Sequence, residues 1–290
     1  MRDTGNGRAV KVKDKATEPK EKERSELPGV WVAYGRLLQH LRKRAGLSQQ
    51  ALGAAIGYSM EQVASVEQGR RPAKAAFTEA ADPMLNAGGV LLVLQNDVDR
   101  AKLPQFFRNF ALIEADVVSR FSYDPLLVPG LLQTEGYARA VFAGHCPPFS
   151  EEVVDQHTEG RLSRQKLLTR VPMAELSFIV SEEALRNPVG NAEVMRGQWQ
   201  RLLEVGAMRN VEVQIMPPGP GFHVGLDGPF VMMETQDHNH LGYIESQEVG
   251  CVVHDPADVS AFGLRCGKLR SQALNGVESA RLIERLVGET

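Results

Sequence analysis

Apolar positions along this chain follow two different rhythms. From Trp31 to about Leu94 they recur at helical spacing, in short segments separated by turn signals. A helix over residues 33–44 places Leu37, Leu38 and Leu41 on one side. Asp82-Pro83 reads as a helix N-cap followed by proline at the first helical position, so one helix is expected to stop there and another to begin. The stretch from Val90 to about Lys102 leads onward. Past Pro104, helical and strand periods mix. Helices are predicted over 106–121, 135–142, 152–168, 257–274 and 277–286. Glu175 to Val180 (E-L-S-F-I-V) and Val211 to Met216 (V-E-V-Q-I-M) alternate as half-buried strands do. Residues 229–234, 241–245 and 250–254 are further strands between Gly-, Asp- and Asn-rich turns. The expected organisation is a disordered tail over 1–28, a mainly α domain over 29–95, a linker over 96–103 and an α+β domain over 104–290. The tail follows from a Lys- and Glu-rich composition that offers too little apolar surface to offset the entropy of ordering. Its Lys11, Lys13 and Lys15 could still touch phosphates.

The most informative stretch runs from Gly46 to Gly69. Ser48 can cap a short helix reaching Ile56, and Gly57 can end it in a left-handed conformation that costs little without a Cβ. Ser59 caps the next helix, and Gln62 three residues on completes a capping box. Gly69 ends this second helix and Pro72 prevents its early resumption. Two helices of about two turns, joined by a three-residue turn, form a helix-turn-helix. Leu52, Ile56, Val63 and Val66 fall where the pair must pack.

In this register Gly46-Leu47-Ser48-Gln49, the turn glycine Gly57 and Glu67-Gln68-Gly69 resemble the XRE family, the helix-turn-helix class of lambdoid phage repressors, over roughly residues 32–85. One departure is Gly53, where the family usually has alanine, at a helix-propensity cost of about 1 kcal/mol. The resemblance implies a lambda-repressor-like domain whose second helix enters the major groove of operator DNA. Carried over by position, Met60, Glu61 and Ser65 face base edges, while Gln49 and Ser59 touch backbone or bases. Glu61 would accept a hydrogen bond from a cytosine amino group and Met60 would pack on a thymine methyl. Arg70 and Arg71 would meet phosphates, which fix register without reading sequence, with Arg42, Lys43 and Arg44 adding to that contact. Glu61 reads equally as a solvated helix residue, and Glu67 reads as structural rather than base-reading.

The second region carries Val128-Pro129-Gly130-Leu131-Leu132-Gln133-Thr134-Glu135-Gly136-Tyr137-Ala138-Arg139-Ala140, a Pro-Gly turn followed by an amphipathic helix start. With Arg164-Gln165, Ser181 to Arg186 and Gly228-Pro229-Phe230, it resembles a domain found mainly in actinobacterial regulators, over about residues 104–287. That domain follows an XRE helix-turn-helix in proteins often encoded beside a very short partner protein, an antitoxin-like arrangement. The resemblance implies a C-terminal domain that binds a small protein partner, with Tyr137 and Arg139 as anchors of the chemistry favoured at interface hot spots. Leu131 and Leu132 read equally as core. The alternatives are a small-molecule sensor with a pocket near Pro129 to Tyr137, and an enzyme with an unrecognised site.

Charge sharpens this division. Residues 1–85 carry 15 Lys/Arg against 10 Asp/Glu, a balance of +5, and the remainder 18 against 26, a balance of −8. A basic segment on an acidic body would dock on DNA in one orientation. The polar opening residues predict no secretory signal, and no apolar run approaches the roughly 20 residues that span a bilayer. Cys146, Cys251 and Cys266 are widely spaced, which argues against a disulfide scaffold or zinc ribbon and predicts a cytoplasmic protein without membrane association. Cys251, in a strand-like run, is expected to be buried and inert.

Catalytic signals are sparse. His238-x-His240 lies in a polar turn, and the glycine-rich 219–228 segment lacks the Lys-Ser/Thr of a phosphate loop. Ser181-Glu182-Glu183 is most simply an N-cap with acids in the first turn. No enzyme, metal or cofactor is expected. A single short recognition helix reads few base pairs, so a homodimer on an inverted repeat is expected. The terminal helix with Leu282, Ile283 and Leu286 is the candidate dimer contact, unless these residues pack within one chain.

Overall fold

In the computed structural model, which describes residues 28–219 and 222–289, the N-terminal region is built from α1 (Gly29–Arg44), α2 (Gln49–Ile56), α3 (Met60–Glu67), α4 (Ala75–Met84) and α5 (Val90–Arg100). The expected tail, Pro28 apart, lies outside the described residues, and so does Gly221 of the glycine-rich segment. Leu38, Leu52, Val63, Phe77 and Leu91 form one core that joins all five helices. Two expectations fail here. α4 continues through Asp82-Pro83 to Met84, so no helix begins at Pro83. Asp82 caps from a distance instead: its buried carboxylate accepts hydrogen bonds from the N–H groups of Gly89 (2.8 Å) and Leu91 (3.0 Å) at the start of α5. Nor is 96–103 a free linker. It comprises the second half of α5 and a buried turn, with Val98 and Ala101 in the N-terminal core and the Trp31 indole donating to the Val98 carbonyl at 3.1 Å.

The C-terminal region contains α6 (Gln105–Glu114), β1 (Val117–Asp124), α7 (Glu135–Ala143), α8 (Glu151–Ser163), β2 (Glu175–Ser181) and α9 (Glu182–Arg186). It continues with α10 (Ala192–Gly206), β3 (Val211–Met216), β4 (Phe230–Thr235), β5 (His240–Ser246), β6 (Val249–Val253), α11 (Pro256–Gln272) and α12 (Gly276–Gly288). The fold is therefore a helical N-terminal region followed by an α+β domain, as the sequence pattern predicts. The expected 106–121 helix stops at Glu114, and its last residues are the start of β1. Strands lie in the order β3-β2-β1-β4-β5-β6, with β1, β2 and β3 parallel and the remaining pairings antiparallel.

Side chains alternate across a strand, so each strand serves two faces. Phe178 of β2 and Val213 of β3 share one core with Trp199 and Leu202 of α10 and with α12. Phe121 and Tyr123 of β1 share another with Phe262 and Leu269 of α11. Leu282, Ile283 and Leu286 belong to the first of these cores, so these three side chains pack within their own chain and do not supply a dimer contact. Ser181 does cap α9, its hydroxyl accepting from the Ala184 N–H at 3.0 Å.

The two regions meet along α8. Lys102, almost fully buried, lies 2.8 Å from Asp99 and 3.3 Å from Glu159, and His157 Nδ1 is 2.8 Å from the Lys102 carbonyl. Lys74 pairs with Glu159 at 2.8 Å and Arg71 with Glu152 at 3.1 Å. Among the described residues no helix is long and apolar enough to cross a membrane.

Candidate nucleic-acid interface

Local chemistry builds the α2–α3 unit. The Ser48 hydroxyl accepts from the Ala51 N–H at 3.0 Å, and Gly57 ends α2 at φ +79°, a conformation that disfavours any Cβ. At α3 the capping box is complete: Ser59 Oγ accepts from the Gln62 N–H (3.2 Å), and Gln62 Oε1 accepts from the Ser59 N–H (2.8 Å). Gly53 is less permissive than its alanine counterpart in the XRE pattern suggests. A Cβ there would lie 2.5 Å from the Tyr58 carbonyl oxygen, so this turn closes more tightly on α2 than alanine allows.

Glu67 fixes the unit to α1. Its side chain, with no exposed surface, accepts from Arg42 Nε (2.5 Å) and Nη2 (3.0 Å) and from Gln49 Nε2 (2.8 Å). Burial raises the Glu67 carboxyl, but the hydrogen bonds and charge of Arg42 and the bond from Gln49 outweigh it and hold the group below the ordinary carboxylate value. The structural reading of Glu67 stands. Arg42 must be corrected, however. It is buried and committed to Glu67 and to the Leu47 carbonyl (2.7 Å), so it cannot meet a phosphate. Lys43 and Arg44 are exposed, although Arg44 also donates to the Asn86 carbonyl at 3.1 Å.

With Val63 and Val66 turned inward, α3 presents Met60, 46% exposed, together with exposed Glu61 and half-buried Ser65. Hydrogen bonds from its own backbone N–H and from Ser59 hold the Glu61 carboxyl below its usual range. A shallow depression gathers Glu61, Gln62, Ser65, Arg70 and Arg71 with Glu152 of α8. Ser59 is exposed at the helix start, whereas Gln49 is half-buried and turned toward Glu67. Sequence reasoning gave Gln62 a capping role alone and had no signal for Glu152, which enters from another region of the chain.

The anchors expected around the Pro129-Gly130 turn divide differently. Tyr137 is fully buried and its hydroxyl accepts from the Val128 N–H at 3.3 Å; Leu131 and Leu132 are also core. Tyr137 therefore locks the turn from inside and has no surface for a partner. Arg139 is half-exposed and bridges α7 to α8 through Glu151 (2.9 Å) and Asp155. Cys251 is exposed, contrary to expectation, because β6 is an edge strand. His238 is held by Glu234 at 2.6 Å, and among the described residues no three His, Cys, Asp or Glu side chains are grouped as metal ligands.

Behind the turn lies a cavity of about 290 Å³. The turn itself and β1, β4, β5 and α6 supply its walls, with Arg161 and Arg164 closing one side. Gln133 braces it, donating to the Val128 carbonyl at 2.7 Å and accepting from Arg161 at 2.7 Å. Residues 120, 124, 161, 243 and 245 were not singled out from sequence; the alternation in V-V-S-R-F-S-Y-D, read as strand, would have put Arg120 and Asp124 on one face.

Residues 33–94 match the family model of a helix-turn-helix domain, and residues 107–285 match that of a domain of unknown function (DUF5753). No curated protein and no solved structure matches the chain. The first match accords with the capped α2–α3 unit and makes the N-terminal region that of a DNA-binding regulator. The second spans more than half of the 290 residues, and the chain belongs to the family defined by this domain of unknown function.

Proposed function

We propose that this chain is a cytoplasmic, non-enzymatic transcription regulator of XRE type that reads an inverted-repeat operator as a homodimer. The observation that carries the reading is the rigidly capped α3, whose exposed Met60 and Glu61 and half-buried Ser65 sit beside the exposed cations Arg70 and Arg71. Base contacts come from the first three and phosphate contacts from the two arginines. Binding-site selection tests this directly. A Met60/Glu61/Ser65 triple-alanine variant should select a different or degenerate motif; an unchanged motif would overturn the assignment. Sedimentation of the chain alone and on operator DNA tests the dimer, and a monomer in both states at micromolar concentration rejects it.

The second domain is the regulatory module. In the antitoxin-like reading it captures a small protein encoded nearby. A specific observation favours a second reading, the sensing of a small molecule. The Pro129-Gly130-Leu131-Leu132 turn buries its own anchors and lines a cavity with mixed apolar and charged walls, the usual character of a ligand site.

A further inference from the structure

Charges around the cavity behind the Pro129-Gly130 turn are not completed by the protein itself. Arg120 of β1 donates through Nε to Glu114 at 3.0 Å, but its buried Nη1 has no hydrogen-bond partner among the described residues. Arg164 is taken by the other Glu114 oxygen at 2.6 Å and lies over the Phe107 ring. Arg161 is different. It makes no ion pair among the described residues; its Nη1 donates to the neutral Gln133 amide and its guanidinium lies 4.1 Å from the Phe142 ring centroid. Burial and the adjacent charge of Arg164 push it down to about 10.

Two carboxylates line the same walls, Asp124 half-buried and Glu245 exposed at the rim. Asp124 accepts from the Ser122 hydroxyl at 2.6 Å and Glu245 from the Tyr243 hydroxyl at 2.8 Å, and neither has an ion-pair partner among the described residues. Burial lifts Asp124 to about 6, against the pull of Arg120. Phe110 and Tyr243, stacked at 4.0 Å between centroids, also line the cavity.

Charges drawn partly out of water, as Arg161 and Asp124 are here, are costly unless an opposite charge meets them, whereas Glu245 is exposed at the rim and adds only its sign. A wall bearing a lone guanidinium alone would suit an anion, and one bearing lone carboxylates would suit an amine. Both occur here around one small cavity. Its volume of about 290 Å³ is at the lower end of ligand sites, which favours a single-ring molecule over a nucleotide.

We infer that this cavity binds a small ring-bearing zwitterion of the aromatic amino-acid class. Its carboxylate meets Arg161 and the free Arg120 Nη1, its ammonium meets Asp124 and Glu245, and its ring lies against Phe110 and Tyr243. The inference rests on the sensing reading above and names the ligand class for it.

Isothermal titration of the full-length chain with four probes tests it: L-phenylalanine, L-tryptophan, 3-phenylpropionate (no ammonium) and phenethylamine (no carboxylate). At least one amino acid should bind, with both single-charge analogues weaker by about tenfold or more, the worth of one charge-assisted hydrogen bond. Arg161→Gln and Asp124→Asn should each weaken the amino acid by a similar factor. Because Arg161 also holds Gln133, Glu245→Gln at the exposed end of the wall provides a variant whose folding does not depend on that contact; it too should weaken binding. Absence of heat from both amino acids at millimolar concentration overturns the ligand class, as does 3-phenylpropionate binding as tightly as phenylalanine. Sensing is judged separately by titrating the bound chain against operator DNA. Ligand binding that leaves operator affinity unchanged keeps the site and rejects the sensor.

Discussion

Replacing Glu152 by glutamine should tighten operator binding. In the structure Glu152, at the acidic start of α8, pairs with Arg71 at 3.1 Å and so occupies a cation proposed for a DNA phosphate. Both side chains are substantially exposed, 60% for Arg71 and 48% for Glu152, so the pair itself contributes at most about 1 kcal/mol. Releasing Arg71 therefore raises affinity by no more than about fivefold, and less at high salt, where exposed charges are screened. Fluorescence anisotropy with a labelled operator, repeated across salt concentrations, resolves a change of that size. Glu152→Lys should go further and steepen the dependence of log K on log salt by about one additional released counterion. The decisive comparison is a double-mutant cycle with Arg71→Ala, which should weaken all DNA sequences alike. If the glutamine variant gains affinity equally in the Arg71→Ala background, Glu152 does not act through Arg71 and the reasoning is refuted.

Gly53→Ala restores the residue usual in the XRE pattern and gains about 1 kcal/mol of helix propensity, yet it should lower the melting temperature. The new Cβ meets the Tyr58 carbonyl oxygen at 2.5 Å, a backbone overlap costing about 1–3 kcal/mol; a raised melting temperature would contradict the close approach. Glu67→Gln leaves Arg42 buried without its carboxylate and should destabilise the helix-turn-helix by about 3–5 kcal/mol in thermal or urea unfolding. Because the folded Glu67 carboxyl lies below its ordinary value, its stabilisation is full above about pH 4.3 and is lost as pH falls through the lowered value. Acid melts of wild type and Glu67→Gln should therefore converge, and parallel curves would sink the assignment. Tyr137→Ala should cost about 3–5 kcal/mol as a cavity in the core, and a variant with wild-type stability would restore it as a surface anchor.

The parts of this molecule legible in its sequence are those whose causes lie within one or two turns of chain. Ser48, Gly57 and the Ser59–Gln62 box act on groups three to four residues away, so α2 and α3 could be bounded closely. Asp82 shows the limit of local reading: its capping chemistry is real, but it serves N–H groups seven and nine residues ahead, across a loop. β1 was misread for a related reason. As a central strand it is covered on both sides, by Phe262 and Leu269 of α11 over Phe121 and Tyr123 and by the ionic partners of Arg120 on the other face, so its polar positions do not mark solvent. The Pro129-Gly130-Leu131-Leu132-Gln133 string was recognisable as a motif, yet nothing local says whether its leucines face inward. Their direction depends on Gln198 of α10, which donates to the Leu132 carbonyl at 2.8 Å from 66 residues away. The same holds for charge. Arg42 finds Glu67 across 25 residues and Arg71 finds Glu152 across 81, and in each case the long-range partner decides whether a cation on the basic N-terminal region is free for DNA. A count of Lys and Arg gives the sign of that surface, but only the fold distinguishes a buried strut from a phosphate contact. The cavity is the extreme case. Its charges come from β1, the end of α8 and β5, segments that no periodicity links, and they become a site only when the sheet order places β4 beside β1 and β5 beside β4.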